Sequence, residues 1–400
     1  MGIKTIQRTA SREKCKKQQN NLKIINMRSW KKTVLLLNKL LLVQLLTVAF
    51  QLRVHSGQSE TPVYLPEFSL QGTDGRFYSN KDFEENDLLA VIFLSNHCKI
   101  SQLFQNQLIK IAELMREKKV AIVAVSPNYD KAVLPDEQAY SDLGDSFMEM
   151  KKRALRKKYT FPYLFDGEKQ TLTRKMGVKI TPSVFLYNKN REMVYAGRIG
   201  NHDLPESLEA SDLYKFIISD LDGGGNKFKR TKVFGTAIKF SDDLLLAEQV
   251  RKRYSDETVR ITAADERKLK FYLNHKTGKP KLFYVWKETD KDLRDNLLTI
   301  STLYKIFRKR GLKLITVCIS EKQNIDSAIE VLEQAQLSST NFMVSGNQVS
   351  PLTTIIPSDI SSITPFYRLI GGDGKMLQGQ KGKIEKDNLR LEILSALNNN

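Results

Sequence analysis

Cysteine is scarce in this chain of 400 residues, which has only Cys15, Cys98 and Cys318. Cys15 lies in a basic leader, so two thiols remain if the leader is removed. Two thiols cannot supply the set of disulfides that holds small secreted proteins together. A single bridge between Cys98 and Cys318 is arithmetically possible, but the two residues fall in different halves of the chain. The number of cysteines therefore excludes a disulfide scaffold and leaves Cys98 and Cys318 as the thiols to consider.

Histidine and the common nucleotide motifs are also scarce. The four histidines, His55, His97, His202 and His275, show no metal-ligand spacing, so no metal site is predicted. The chain has no phosphate-binding loop, no glycine-rich dinucleotide fingerprint and no Ser-His-Asp signature. The sequence therefore predicts no cofactor.

The formal net charge of +19 is concentrated at the N-terminus. Residues 1–56 have 12 basic residues and one acidic residue, whereas the remaining chain has 52 basic and 44 acidic residues. The later charges are interspersed along amphipathic segments rather than gathered into one block. This pattern favours a solvated surface over a nucleic-acid interface, so no nucleic-acid partner is predicted.

Long hydrophobic runs are missing except near the N-terminus. Basic residues at positions 28–32 precede an apolar stretch over residues 33–50, whose uninterrupted part, Leu40–Phe50, has 11 residues. A membrane span needs about 20 apolar residues, whereas a run of this length is typical of a signal peptide. Residues 1–56 are predicted to be a leader, either a cleaved signal peptide or a membrane anchor through residues 33–50. We expect the protein to be secreted, periplasmic or membrane-anchored, facing an extracytoplasmic compartment.

Beyond the leader, two halves of the chain share one order of elements. In each half an apolar strand is followed by a turn, a long helical pattern and a second apolar strand, which predicts a right-handed βαβ unit in a parallel sheet. The predicted elements are Leu88–Leu94, a helix through Leu103–Met115 and Val120–Val125, and then Lys281–Trp286, Leu293–Phe307 and Leu312–Ile319.

Both halves also place a Thr-Pro pair at the start of a later strand, Thr181-Pro182 and Thr364-Pro365. Proline is unusual there because it removes a donor from the sheet. The position is understandable if the preceding peptide bond is cis and faces a functional turn. Each pair is followed by a turn, a further strand and a terminal helix, predicted at Ser211–Leu221 and Lys386–Leu397.

Several segments resemble the peroxiredoxin-like redoxin-domain proteins of the alkyl hydroperoxide reductase/thiol-specific antioxidant superfamily. The resemblance covers residues 61–205, and residues 275–398 resemble more weakly the second thioredoxin-like domain that some members have. The segments that carry it are Leu65–Leu70, Asp74–Arg76, Asn96–Cys98, Val125–Asn128, Tyr140–Ser146, Phe161–Gly167 and Tyr195–Ile199.

The resemblance implies an α/β fold with two tandem thioredoxin-like domains, each a central mixed sheet flanked by helices. The predicted divisions are the leader (1–56), a redoxin domain (57–222), a linker (223–274) and a degenerate thioredoxin-like domain (275–400). The linker begins with a hinge at Asp222–Asn226 and contains a basic, helical pattern around Leu244–Tyr254.

The predicted site is centred on Cys98, which follows a strand and precedes a helix. The N-terminus of a helix stabilises a thiolate, and His97 and Lys99 add positive charge. The alternative is a small buried residue that happens to be cysteine. The other candidates are the hydroxyl donors Ser95 and Ser101, the Thr181-Pro182 pair, and Arg198, which either approaches Cys98 or is a solvated surface arginine.

The departures from the family pattern concern partner thiols. Ser95 and Lys99 stand where the family commonly has cysteine and proline, and Ser101 stands where a thioredoxin pair starting at Cys98 would have its second cysteine. Thr236 replaces a cysteine that often follows a glycine after the first domain, and the segment Trp286–Leu293 lacks both cysteines of the second domain.

Cys318 lies in an apolar strand and is predicted to be buried and inert. Without a resolving thiol, Cys98 can form only a sulfenic acid or a mixed disulfide that another molecule resolves.

Two functions are consistent with these residues. The first is an exported thiol oxidoreductase or peroxidase-like antioxidant protein that acts through the single thiol of Cys98. Its partners would be an external thiol reductant or protein thiol and a peroxide substrate. The second is a catalytically degenerate redoxin that serves as a binding or structural module.

Overall fold

The computed structural model describes residues 63–223, 228–321, 324–354 and 364–399. The predicted leader, with the tether at residues 33–50 and Cys15, lies outside the described residues. Residues 63–400 belong to one compact unit. None of the helices in the described ranges combines the length and apolar character needed to cross a membrane.

The first sheet has eight strands in the order β2-β1-β5-β4-β3-β7-β8-β9. Strand β3 at its centre is parallel to β4 and antiparallel to β7. All six residues of β3 are buried, as its continuous apolar sequence requires for a strand covered on both faces. The first ten strands of the chain are β1 Ser69–Gly72, β2 Phe77–Ser79, β3 Leu88–Phe93, β4 Val120–Ser126, β5 Tyr163–Phe165, β6 Ile180–Thr181, β7 Ser183–Tyr187, β8 Met193–Gly197, β9 Lys229–Arg230 and β10 Thr236–Ala237.

The helices that flank this sheet include two consecutive pieces where one long helix was predicted. Phe104 separates them, with φ −92° and ψ 0°, and Leu108, Ile111 and Met115 of the second piece pack into the core beside β3. The helices are α1 Lys99–Leu103, α2 Gln105–Met115, α3 Phe147–Lys157, α4 Thr171–Lys175 and α5 Asp212–Leu221.

The second sheet has six strands in the order β11-β14-β13-β12-β15-β16. Its central strand β12 is parallel to β13 and antiparallel to β15, which repeats the neighbours of β3. We call residues 244–399 the second half. Its strands are β11 Ile261–Ala263, β12 Lys281–Trp286, β13 Lys313–Ile319, β14 Thr340–Val344, β15 Phe366–Ile370 and β16 Met376–Lys381, and its helices are α6 Leu244–Ser255, α7 Glu266–Asn274, α8 Leu293–Phe307, α9 Ile325–Gln334 and α10 Lys386–Asn398.

The predicted α/β class with mixed sheets flanked by helices is confirmed. The peptide bonds Thr181-Pro182 and Thr364-Pro365 are both cis, as predicted. The division into domains at the predicted boundaries stays a prediction.

The segment predicted as a linker contributes to both sheets. Strand β9 extends the first sheet, β10 pairs with β6, and β11 is an edge strand of the second sheet. Residues 244–255 form helix α6, where a helical pattern was expected. Residues 224–226 of the predicted hinge lie outside the described residues.

Candidate thiol site around Cys98

Cys98 lies at the carboxyl end of strand β3, where the chain turns into helix α1. Its Sγ accepts a hydrogen bond from the backbone amide of Ser101 at 3.4 Å, so the thiol caps the helix. The same sulfur donates to the backbone carbonyl of Thr181 at 3.1 Å. Cys98 is completely buried and forms no disulfide. One donor and one acceptor therefore fix the position of the thiol.

A group of hydroxyls adjoins the thiol. The Ser95 and Thr181 hydroxyls are hydrogen-bonded to each other at 2.8 Å, and the amide of Ser95 donates to the Ser101 hydroxyl at 3.4 Å. The pairing of β3 with β7 makes this possible, because it places Phe93 opposite Ser183 and so brings the residues after β3 to the cis bond. The structure thus brings together Ser95, Cys98, Ser101, Thr181 and Pro182, as the sequence predicts.

His97 forms a buried pair with Asp145, in which His97 Nδ1 and Asp145 Oδ2 are hydrogen-bonded. Burial disfavours a charged His97, but the Asp145 carboxylate outweighs it and raises the pKa of His97 above its ordinary value of 6.5. A further cause of this rise in the pKa of His97 is its electrostatic interaction with Cys98. Among the described residues, His97 Nε2 has no hydrogen-bond partner. The side chain of Lys99 is exposed.

Asp145 holds the turn that precedes the thiol. One carboxylate oxygen accepts from the amides of Asn96 at 2.6 Å and His97 at 3.4 Å. The other accepts from Asn128 Nδ2 at 2.9 Å as well as from His97. Burial acts to raise the pKa of Asp145, but His97 and these amides outweigh burial and lower it. No pattern in the sequence singles out Asp145, which lies within the matched segment Tyr140–Ser146.

Arg198 does not belong to this group. Its guanidinium forms an ion pair with Asp212, in the first turn of α5, and its amide donates to Thr231 Oγ1 at 3.0 Å. In the described part of the chain no hydrogen bond joins Arg198 to Cys98. The expectation that Arg198 approaches the thiol is therefore corrected, because the acidic first turn of α5 lies next to the end of β8 and binds the guanidinium.

Cys318 is remote from this chemistry. It lies in β13, is completely buried and is unpaired. Burial raises the pKa of Cys318 to about 12. Both features agree with the prediction of an inert thiol, and the bridge between Cys98 and Cys318 is absent.

A short segment, Gly235–Lys239, lies across the cis-proline edge, and we call it the strap. Its strand β10 pairs antiparallel with β6, with Thr236 opposite Thr181. The Ile238 amide donates to Lys179 O at 2.9 Å, and the Lys239 amide donates to Asn128 Oδ1 at 2.8 Å. Thr236, which stands where the family often has cysteine, is therefore beside the residue that holds the Cys98 thiol.

The described residues contain no group of three or more histidine, cysteine, aspartate or glutamate side chains that could hold a metal ion.

Comparison with protein families gives one match, to the AhpC/TSA family, over residues 64–196. Residues 64–196 are therefore similar to the redoxin domain of this family. The matched residues include Cys98 and its partners Ser95, Ser101, Asp145 and Thr181. The match supports the prediction of a thiol-dependent oxidoreductase of peroxiredoxin-like type. No curated protein matches the chain.

Among solved structures, a hypothetical protein from Sinorhizobium meliloti is 25% identical, with a TM-score of 0.40, and the alignment covers 46% of this chain and 96% of that one. An uncharacterized conserved protein from Geobacillus kaustophilus is 23% identical, with a TM-score of 0.38, and the coverage is 46% and 94%. A peroxidoxin from Mycobacterium tuberculosis is 14% identical, with a TM-score of 0.27, and the coverage is 34% and 84%.

Proposed function

We propose that the redoxin domain reduces peroxides through the single thiol of Cys98, at the expense of an external thiol. The observation that carries this proposal is the position of Sγ. It lies between the Ser101 amide and the Thr181 carbonyl, next to a buried His97–Asp145 pair. A neighbouring histidine with a raised pKa is typical of a functional site rather than of the surroundings of an inert buried cysteine.

The proposed reaction has two stages. The Cys98 thiolate attacks one oxygen of the peroxide, an S–O bond forms, and the O–O bond breaks. The leaving alkoxide or hydroxide takes up a proton and becomes an alcohol or water, and the cysteine is oxidised to a sulfenic acid. An external thiol then condenses with the sulfenic acid to give a mixed disulfide and water. A second external thiol releases the Cys98 thiol and leaves as a disulfide with the first.

The neighbouring groups have separate roles in this scheme. Thr181 O accepts a hydrogen bond from the resting thiol, and the Ser101 amide donates to the sulfur and stabilises its negative charge. The Ser95 hydroxyl, which is now bonded to the Thr181 hydroxyl, is the group we assign to orient the peroxide.

We assign the reductant to another molecule because the described residues offer no suitable second thiol. Within the described residues the other cysteine is Cys318, which lies in the second sheet with a strongly raised pKa. Positions 101 and 236, where related sequences have cysteine, are Ser101 and Thr236. These observations support a single-thiol mechanism.

The burial of Cys98 favours a second candidate function. A completely buried thiol meets substrate only after local opening, and the strap occupies the edge of β6. In this alternative the domain is a degenerate redoxin that serves as a binding or structural module. Opening would then be rare, and Cys98 would not turn over.

Peroxide-dependent oxidation of a dithiol, measured by loss of the peroxide, distinguishes the two functions. We expect wild-type protein and a Cys98→Ser variant to differ in rate by more than ten-fold, with Cys318→Ala as the matched control that keeps wild-type activity. Equal rates for wild type and Cys98→Ser would leave the binding module as the function.

We also propose export to an extracytoplasmic compartment, on the basis of the basic and apolar leader at residues 1–56. Mass spectrometry of the N-terminus, carried out on fractionated cells, tests this. A start after the apolar run, or an intact leader in the membrane fraction, supports export. An intact leader in the soluble cytoplasmic fraction contradicts it.

A further inference from the structure

We infer that Arg390, in the second half of the chain, is a positioning residue for the Cys98 site. It holds the loop that carries Asp145, and Asp145 holds the turn that carries His97 and Cys98. This inference rests on the proposed function of Cys98, and it assigns a role to a half that has no thiol at the position equivalent to Cys98.

Arg390 is buried in helix α10, with 1% of its surface exposed. Its Nε donates to Ser141 O at 2.9 Å, and one terminal nitrogen donates to Gln138 O at 3.1 Å. The other terminal nitrogen lies 3.6 Å from a carboxylate oxygen of Glu149. A buried guanidinium needs such acceptors, and its planar fork fixes their relative positions in a way that a lysine does not.

Two short chains of hydrogen bonds lead from these acceptors to Asn96. The Ser141 hydroxyl donates directly to Asn96 O at 2.7 Å. Glu149 accepts from the amide of Gly144 at 2.9 Å, and the carbonyl of Gly144 accepts from Asn96 Nδ2 at 2.7 Å. Gly144 precedes Asp145 in the chain, so Arg390 constrains the Asp145 carboxylate from the backbone side.

The second half also contacts this loop, residues 138–145, at Ala139 and Tyr140. Ala139 is completely buried in the core of the second sheet, together with Leu297 of α8. Arg310 donates to Ala139 O at 2.6 Å and lies 4.6 Å from the centre of the Tyr140 ring. These contacts keep the loop in place, but Arg390 is the one among them that binds Ser141 and Glu149, the residues connected to Asn96.

These contacts explain how the second half, which has no nucleophile, affects the reactivity of Cys98. Without the planar guanidinium of Arg390, the carbonyl groups of Gln138 and Ser141 lose their donors, and the backbone of residues 138–141 is no longer held in place. The distance between the Asp145 carboxylate and His97 is then no longer fixed. The charge of His97 and the position of the 96–98 turn both depend on that distance. We therefore expect the reactivity of Cys98 to fall without loss of the fold.

The test uses the full chain with Arg390→Lys and, as matched control, Arg308→Lys, which removes a half-buried guanidinium bound to Glu257 within the second half. We measure the second-order rate of Cys98 oxidation by hydrogen peroxide and the titration of His97 by NMR. For Arg390→Lys we expect a roughly ten-fold slower rate, as for loss of one charged hydrogen bond, and a His97 pKa shifted toward 6.5. The control should match wild type in both.

A wild-type rate together with a wild-type His97 titration in Arg390→Lys would overturn the inference. If wild-type Cys98 itself is inert to peroxide, the proposed function fails, while the His97 titration still decides the role of Arg390. If Arg390→Lys does not fold, Ser141→Ala removes one of the two connections. A shifted His97 titration in Ser141→Ala supports the inference, and an unshifted one overturns it.

Discussion

Gly235 lies directly against the carbonyl group of Thr181. A Cβ atom placed on Gly235 would approach the Thr181 oxygen to 1.9 Å, and this oxygen accepts the hydrogen bond from Cys98 Sγ at 3.1 Å. The strap and the thiol therefore contact the same atom. Because strand β10 contributes only two residue pairs to β6, we expect the strap to be the element that opens the site.

Gly235→Ala should make Cys98 more accessible. The added methyl group has no room against Thr181, so the strap must move away. We expect iodoacetamide to label Cys98 roughly ten-fold faster, which corresponds to a change of about 1.4 kcal/mol in the opening equilibrium. Mass spectrometry of the labelled peptides separates Cys98 from Cys318.

Gly346→Ala is the matched control, because a Cβ at Gly346 would have only an ordinary contact with Glu321 at 3.9 Å. It should leave the labelling of Cys98 unchanged. Equal labelling rates in wild type and Gly235→Ala would show that the strap does not limit access.

Ser101→Cys should give Cys98 a resolving partner. Residue 101 lies one helical turn after Cys98, and its amide is already 3.4 Å from Sγ. One equivalent of peroxide should therefore produce an intramolecular disulfide, seen as a loss of two hydrogen masses that dithiothreitol reverses. Gln102→Cys, at the next position, is the control and should form no intramolecular disulfide. Free thiols in oxidised Ser101→Cys would contradict this arrangement of the turn.

The His97–Asp145 pair should make the free energy of unfolding fall both as the pH rises and as the pH falls. The pKa of His97 is raised in the folded state, so its contribution is complete below 6.5 and is lost as the pH rises through the raised value. The pKa of Asp145 is lowered, so its contribution is complete above 3.8 and is lost as the pH falls through the lowered value.

Between pH 3.8 and pH 6.5, Asp145→Asn should therefore lower the free energy of unfolding by about 3 kcal/mol, since it leaves the buried His97 without its counter-charge. The difference from wild type should shrink at higher and at lower pH. Urea unfolding over a pH series measures it, and a difference that is constant with pH would contradict the pairing.

The sequence predicted the parts of the site that local pattern determines. Cys98 follows an apolar strand, and the Thr-Pro pair marks the facing strand, so the contact of Cys98 with Thr181 was foreseeable. The hydroxyls of Ser95 and Ser101 lie close to the thiol in sequence and were placed correctly.

The remaining residues depend on contacts between distant parts of the chain. Asp145 is far from His97 in sequence, and Arg390 lies far beyond the loop that it binds, so no spacing rule connects them. The position of Arg198, near the thiol or at the surface, stays open in the sequence because its partner, Asp212, is a first-turn residue of a helix whose position the sequence alone does not show. Residues 235–239 fall within the predicted linker because a strand of two residues leaves no periodic pattern in the sequence.

The most direct test of the central claim is trapping of the oxidised thiol in a single turnover. Wild-type protein is mixed with a limiting amount of hydrogen peroxide in the presence of dimedone, and the adduct is located by mass spectrometry. We expect an adduct on Cys98 that forms faster than any adduct on Cys318, and that forms more slowly in Asp145→Asn. An unmodified Cys98, or equal modification of the two cysteines, would contradict it.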